Sequence, residues 1–204
     1  MEFREALRRR RMVRRFRAEP VSEEILGRIL STVRHVPTAG FSQGIDVVVL
    51  ESPDQLEHFW RTTTPPDEWP PDERPSKGAA HDLPRHLPPV IILPFSDKRA
   101  YLRRYAKADK AGFGMEVEEG WPIPYWDIDA AMAVMTILLA AVDEGLGGWF
   151  FGIFQGEDQL VRDLGVPDGP RLLGAIGIGY PDPDEPPFSR DHRQPDEYVH
   201  RGRW

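Results

Sequence analysis

Seven arginines fall between Arg8 and Arg17, at positions 8, 9, 10, 11, 14, 15 and 17, in a chain of 204 residues whose formal net charge is -7. A guanidinium presents a planar fork of donors that meets a phosphate or carboxylate two bonds at a time, which the point charge of lysine does not. Such a cluster in an acidic protein points to capture of a small anion. A solvated helix end, or simple charge balance, is the plain alternative. Basic arms also touch nucleic acid, but no second basic stripe accompanies this one. The negative balance and a pI near 5.4 supply no field that would draw nucleic acid or an anionic membrane.

Little else in the chain carries chemistry unaided. Without cysteine there is no disulfide, thiol nucleophile or thiolate metal site. The histidines at 35, 58, 81, 86, 192 and 200 form no metal-ligand box. No Gly-x-Ser-x-Gly elbow or Walker loop occurs, and Gly174, Gly177 and Gly179 do not make a dinucleotide fingerprint. Asp127 and Asp129 read as helix N-terminal caps. A bound cofactor would then have to carry any chemistry.

The elements that must position these residues are of both kinds. A helix is expected from about Glu2 to Arg11, and a second from Ser22 to near His35, with Ser22 as N-cap and Glu23 and Glu24 in its first turn. The loop Pro37-Thr38-Ala39-Gly40-Phe41-Ser42-Gln43-Gly44 leads into a strand at Asp46–Leu50, and Asp54–Trp60 suits a short helix. From Thr62 to Pro89 recurring prolines leave no regular element, as in a lid, a binding segment or a disordered stretch. Val90–Pro94 reads as a buried strand, Lys98–Lys110 as a basic exposed helix. Strands come next at Trp149–Phe154 and Leu172–Tyr180, separated by a helix from Glu157 to Leu164. An irregular tail runs from 181 to 204. Helices and strands mix without strict alternation, which points to α+β and a single domain over 1–204.

The segment Ile128–Val142 is apolar on nearly every face, so it should be buried all round. A chain of this length has little room to enclose a whole helix; either the fold wraps it or a second subunit covers one side. Bounded by Asp129 and Asp143, it is short of the roughly 20 residues a bilayer requires. The arginine-bearing amino terminus lacks the apolar core of a signal peptide, and the expectation is a soluble, cytoplasmic protein.

Arg10-Arg11-Met12-Val13-Arg14-Arg15-Phe16, then Pro20-Val21, a helix, and Pro37-Thr38-Ala39-Gly40-Phe41-Ser42-Gln43 together resemble the opening of the flavin-dependent nitroreductase family. The apolar helix running into Gly145-Leu146-Gly147 resembles that family's central helix and turn. Leu164-Gly165-Val166-Pro167, Gly179-Tyr180-Pro181 and Arg193-Gln194-Pro195 resemble its late segments. The resemblance implies an α+β sandwich with a central antiparallel-type sheet flanked by helices, a homodimer built through the long central helix, and one FMN per subunit in the dimer groove. Carried over by position, Arg10, Arg11 and Arg14 would hold the FMN phosphate and ribityl hydroxyls, Met12 offering its backbone and Arg193 reaching the same phosphate. Pro37, Thr38, Ala39 and Gln43 would lie along the flavin ring, with Phe151, Gly152 and Ile153 on its other face or edge.

The family's usual serine and asparagine are replaced here by Met12 and Phe41. Phe41 would wall a substrate pocket, and Trp121, Tyr125 and Trp126 could do the same, although aromatics at a helix entrance are more often buried anchors. The activity implied is hydride transfer from NAD(P)H through flavin to an aromatic nitro or quinone-like acceptor in a ping-pong cycle. A flavin-storing protein without turnover stays open beside it. So does the same fold with a deazaflavin donor, or turned to dehalogenation, desaturation or flavin breakdown.

Overall fold

Val90-Ile91-Ile92-Leu93 offers no polar face to solvent, and such a run belongs inside a sheet. In the computed structural model, which describes residues 1–66, 87–185 and 191–204, it forms β2 (Val90–Ser96), buried at every position. β1 (Ile45–Leu50) pairs with one edge of β2. β4 (Arg171–Leu172) and β5 (Ala175–Gly179) share the other edge, and β3 (Gly147–Phe151) closes the order β1-β2-β5-β3. Every pairing is antiparallel.

Because successive strand residues point to opposite faces, β2 feeds two cores. Val90 and Ile92, with Ile176 and Ile178, pack under α2 (Glu23–Ser31) and α5 (Tyr125–Asp143). Ile91, Leu93 and Phe95 pack on the other face with Phe59 and Trp60 of α3 (Pro53–Thr63) and Leu160 of α6 (Glu157–Asp163). The architecture is α+β: an open antiparallel sheet with helices on both faces.

Local signals account for most boundaries. The Ser22 side chain accepts from the Ile25 amide at the start of α2, which continues as a single 3-10 turn to His35. The Ser52 and Gln55 side chains form a reciprocal capping box at the start of α3. At the end of α5, Leu146 and Gly145 amides return to the carbonyls of Ala141 and Val142, and Gly145 takes the left-handed conformation that this closure requires (φ 78°). α1 (Phe3–Arg9) stops at Arg10, one turn after the basic residues begin.

Three expectations change. α4 (Lys98–Tyr105) is shorter than expected and not simply exposed, since Tyr101 is fully buried. The last glycine-laced segment is two strands, β4 and β5, rather than one. α5 is not buried all round: Ala131, Met132 and Met135 remain at least partly exposed. With 19 residues α5 is long and apolar enough to cross a membrane by composition, but half of it is buried within the fold. Most of the expected lid, residues 67–86, lies outside the described residues, as do 186–190 of the tail.

Candidate functional site

The arginine-bearing segment after α1 is an extended strap that runs along the β3 edge of the sheet. Met12 forms a parallel bridge to Gly148 of β3, and the Val13 amide donates to the Gly148 carbonyl at 3.0 Å. Further on, Phe16 bridges Pro181, and the amides of Arg17 and Asp182 donate to the carbonyls of Tyr180 and Arg15. The strap is thus held by β3 on one side and by the segment after β5 on the other. Val13 and Phe16 are buried beneath it.

This pinning sorts the arginines. Arg11 Nη1 donates to Glu185 Oε2 at 2.9 Å, and the Arg14 amide donates to Glu185 Oε1 at 2.7 Å. Buried Arg15 lies 3.6 Å from Asp182. Arg14 Nη1 reaches the Met12 carbonyl at 3.4 Å. Among the described residues the Arg10 guanidinium carries no ion pair. Of the arginines expected at an anion, Arg10 and Arg14 lie on either side of Met12, and Arg11 is already engaged by a carboxylate. Arg193 is not brought to the strap within this chain; it donates to the Glu197 carbonyl and lies 5.9 Å from the Tyr198 ring.

Met12 borders an apolar groove of about 420 Å³ that runs along α5, lined also by Ala131, Val134, Met135, Phe150 and Leu173, with Asp127 at one end. Its thioether sulfur takes the Phe150 amide at 3.5 Å. The groove has the chemistry of a slot for a flat apolar ring, and the strap beside it carries cations suited to an anionic tail. That combination fits a flavin mononucleotide.

β3 divides the expected ring contacts. Phe150 faces the groove, whereas Trp149 and Phe151 face the other core, stacked with Trp60 at centroid distances of 6.5 and 5.6 Å. Phe151, Gly152 and Ile153 line a separate cavity of about 280 Å³ with Trp60, Thr63 and Phe154. The space beside the glycines of β5 is filled by the chain itself: a Cβ on Gly177 would stand 2.6 Å from the Pro88 ring, and one on Gly179 2.6 Å from Pro89.

The loop Pro37–Gln43 lies against the first turns of α5, and none of its residues lines the groove of its own chain. It holds three left-handed residues in four positions, Gly40, Phe41 and Gln43, with φ of 62°, 58° and 53°. Ser42 Oγ donates to the Ala39 carbonyl, the Gln43 amide to Thr38 Oγ1, and Arg104 Nε to the Gly40 carbonyl. The Ala39 amide donates to Asp129 Oδ2 at 2.8 Å. Phe41 is left 73 % exposed.

Trp121 and Trp126 are only 7 % exposed and pack edge to face around Tyr101, at 5.9 and 6.2 Å. Trp121 Nε1 donates to the Met115 carbonyl. These rings are packing anchors in this chain; Tyr125 is half-buried beside them. Asp127 and Asp129 are not caps of α5 either. Asp127 accepts from Ser96 Oγ and the Arg171 guanidinium. Buried Asp129 accepts from Ala39 and from the Tyr101 hydroxyl. Burial, reinforced by the bond to Asp129, pushes the Tyr101 phenol well above its ordinary pKa.

Sequence reasoning missed Glu185 and Asp129 as partners. Asp129 had a signal: it falls on the same helical stripe as Trp126, Ala130 and Ala133, all buried, so a carboxylate there must find donors. Glu185 had none, because its partners lie 171 and 174 positions away.

Solved proteins share this fold. The nitroreductase CinD of Lactococcus lactis, solved in complex with nicotinic acid, superposes with a TM-score of 0.73 at 17% identity, over 98% of both chains. An FMN-dependent nitroreductase of Clostridium difficile gives 0.64 at 20% identity, again over 98% of both. The class is therefore the nitroreductase fold. In sequence, the nitroreductase family profile matches residues 7–180, and the chain belongs to that family, a family of oxidoreductases. A relative from Methanothermobacter thermautotrophicus, whose name proposes an NADH dehydrogenase/NAD(P)H nitroreductase, is 26% identical over all of this chain and 88% of its own.

Proposed function

We propose that the protein is a soluble, cytoplasmic, FMN-dependent oxidoreductase that works as a homodimer on an aromatic nitro or quinone-like acceptor, with NAD(P)H as donor. The observation that carries this reading is the apolar groove lined by Met12, with Arg10 and Arg14 two positions to either side of Met12 on the strap. The fit of that pair to a ring with a phosphate tail agrees with family membership and with the FMN-dependent Clostridium difficile neighbour.

FMN held there by Arg10, Arg14 and the groove lining would supply the hydride chemistry between NAD(P)H and the acceptor. The chain's own residues bind, orient and exclude water. Arg10 and Arg14 fork onto the phosphate, while Arg11 spends its charge on Glu185 and secures the strap. Phe150 and Met12 shape the slot for the ring. The exposed face of α5 at Ala131, Met132 and Met135 is the surface a second copy covers. In such a pair the Pro37–Gln43 loop of one protomer is offered to the groove of the other, Phe41 forming the wall for a flat acceptor. Phe151, Gly152 and Ile153 line the separate cavity beside Trp60, so only their backbone amides are offered toward the ring edge, and Arg193 of the tail reaches a phosphate across the same pair.

The test starts with the purified protein: its colour, and the flavin released on denaturation. Bound FMN that bleaches on anaerobic addition of NADH or NADPH, and recovers with a nitroaromatic or quinone, is the expected result. A colourless protein that ignores added FMN removes the reading. A bound flavin that neither nicotinamide bleaches leaves storage without turnover in its place.

A further inference from the structure

Asp129 is 4 % exposed and no cation pairs with it among the described residues. A buried carboxylate without a counter-charge is costly unless hydrogen-bond donors meet it. Both donors converge on one oxygen: the Tyr101 hydroxyl and the Ala39 amide, each at 2.8 Å. The first links α5 to α4. The second links α5 to a loop that contributes little to the core.

That loop is the least relaxed stretch of backbone in the described chain. Phe41 and Gln43 are its only non-glycine residues at positive φ, and a bulky residue there is strained unless its surroundings over-determine it. The bonds from Phe41, Ser42 and Gln43 amides and from Ser42 Oγ close the loop upon itself. Its ties to the body are fewer: Asp129 at Ala39, Arg104 at Gly40, and the Asp97 amide at Gly44. The strain is not spent on burying Phe41, whose ring stands 73 % exposed. A strained loop that displays an aromatic ring is shaped for what the ring meets.

We infer that Asp129 is a positioning residue for the flat acceptor: through the Ala39 amide it fixes the Pro37–Gln43 loop and hence the place of the Phe41 ring. It touches neither cofactor nor acceptor, and the inference rests on the flavin reading proposed above. The acceptor class it favours is a planar aromatic able to stack on a phenyl ring.

The experiment compares the wild type with Asp129→Asn, Phe41→Ala and the double variant, and with Ala39→Pro, which deletes the donor from the loop side. Two quantities are read: amide hydrogen exchange of the 37–43 peptide, and KM and kcat with p-benzoquinone. Folded Asp129→Asn is expected to exchange that peptide roughly tenfold faster, with α5 still protected, and to raise KM roughly tenfold while kcat stays within about threefold. The double variant should be no worse than Phe41→Ala alone, because both changes act through one ring. Should Asp129→Asn fail to fold, Ala39→Pro must show the same pattern. Unchanged exchange in either folded variant, or additive effects on KM, overturns the inference. Absence of nicotinamide-driven turnover in the wild type strikes the proposed function instead, and the exchange measurement still decides the role of Asp129 in holding the loop.

Discussion

Arg11 and Glu185 are ion-paired at 2.9 Å across 174 positions of sequence, and the same carboxylate takes the Arg14 amide at 2.7 Å. The pair fastens the strap to the segment after β5. It also divides the labour of the arginines: Arg11 holds the chain, and Arg10 and Arg14 flank Met12 at the groove. Arg14→Ala should therefore weaken FMN binding by roughly tenfold or more, through the loss of a charge-assisted contact, and leave riboflavin binding within about twofold. Arg11→Ala should do the reverse, costing about 1 kcal/mol of stability with little change in FMN affinity. Flavin fluorescence titration and thermal melts read both. Equal loss of FMN in the two variants would return Arg11 to the phosphate.

Acid stability should depend on Asp97. Burial alone would raise its pKa, but hydrogen bonds from the Arg99 guanidinium and amide, with the charges of Arg99 and Arg103, outweigh that and leave it below the ordinary carboxylate value. A group whose folded pKa is depressed stabilises fully above its unfolded pKa, near 3.8, and loses that contribution as pH falls through the lower folded value. Asp97 caps α4, which carries Arg104 to the Gly40 carbonyl of the Pro37–Gln43 loop and Tyr101 to Asp129. Asp97→Asn should lower the melting temperature at pH 7 and narrow its gap to the wild type below about pH 4. A gap of constant size from pH 7 to pH 3 would mean that the carboxylate charge contributes nothing.

The sheet and helices were legible because their signals are local. Ser22 caps the helix that begins beside it, and the apolar run at Val90 has no outward face. The rest was not legible because it depends on chain reversal. Whether Arg11 meets a phosphate or Glu185 is decided by where the segment after β5 returns, which no spacing encodes. Trp121 and Trp126 could not be told from pocket walls until Tyr101 arrived between them from α4.

Close approach at Gly177 is a matter of packing, because Pro88 occupies the space a ligand would need. Gly177→Ala should force the proline ring away and cost on the order of 1–3 kcal/mol, as overpacking of a filled core does. The flavin affinity of the protein that remains folded should stay within about twofold. Urea unfolding and flavin titration test the two halves, and a drop in affinity without a drop in stability would place a ligand at that strand.

Two residues six positions apart on α5 separate folding from assembly. Leu138 is 3 % exposed and lies in the core of its own chain with Ile137 and Val134, so Leu138→Asp buries an unpaired charge and should prevent folding, at a cost of several kcal/mol. Met132 is 43 % exposed on the open face of the same helix, away from the groove lining. Lysine there is harmless to a single chain, because its ammonium reaches solvent. In a pair packed through that face the charge is desolvated, and the pair should weaken by several kcal/mol. Met132→Lys is thus expected to keep its circular dichroism spectrum and sediment as a single chain where the wild type sediments as a pair. It should also lose flavin, because the Pro37–Gln43 loop and Arg193 of the second copy no longer complete the groove. A Met132→Lys protein that still sediments as a pair and keeps its flavin would move the interface off α5.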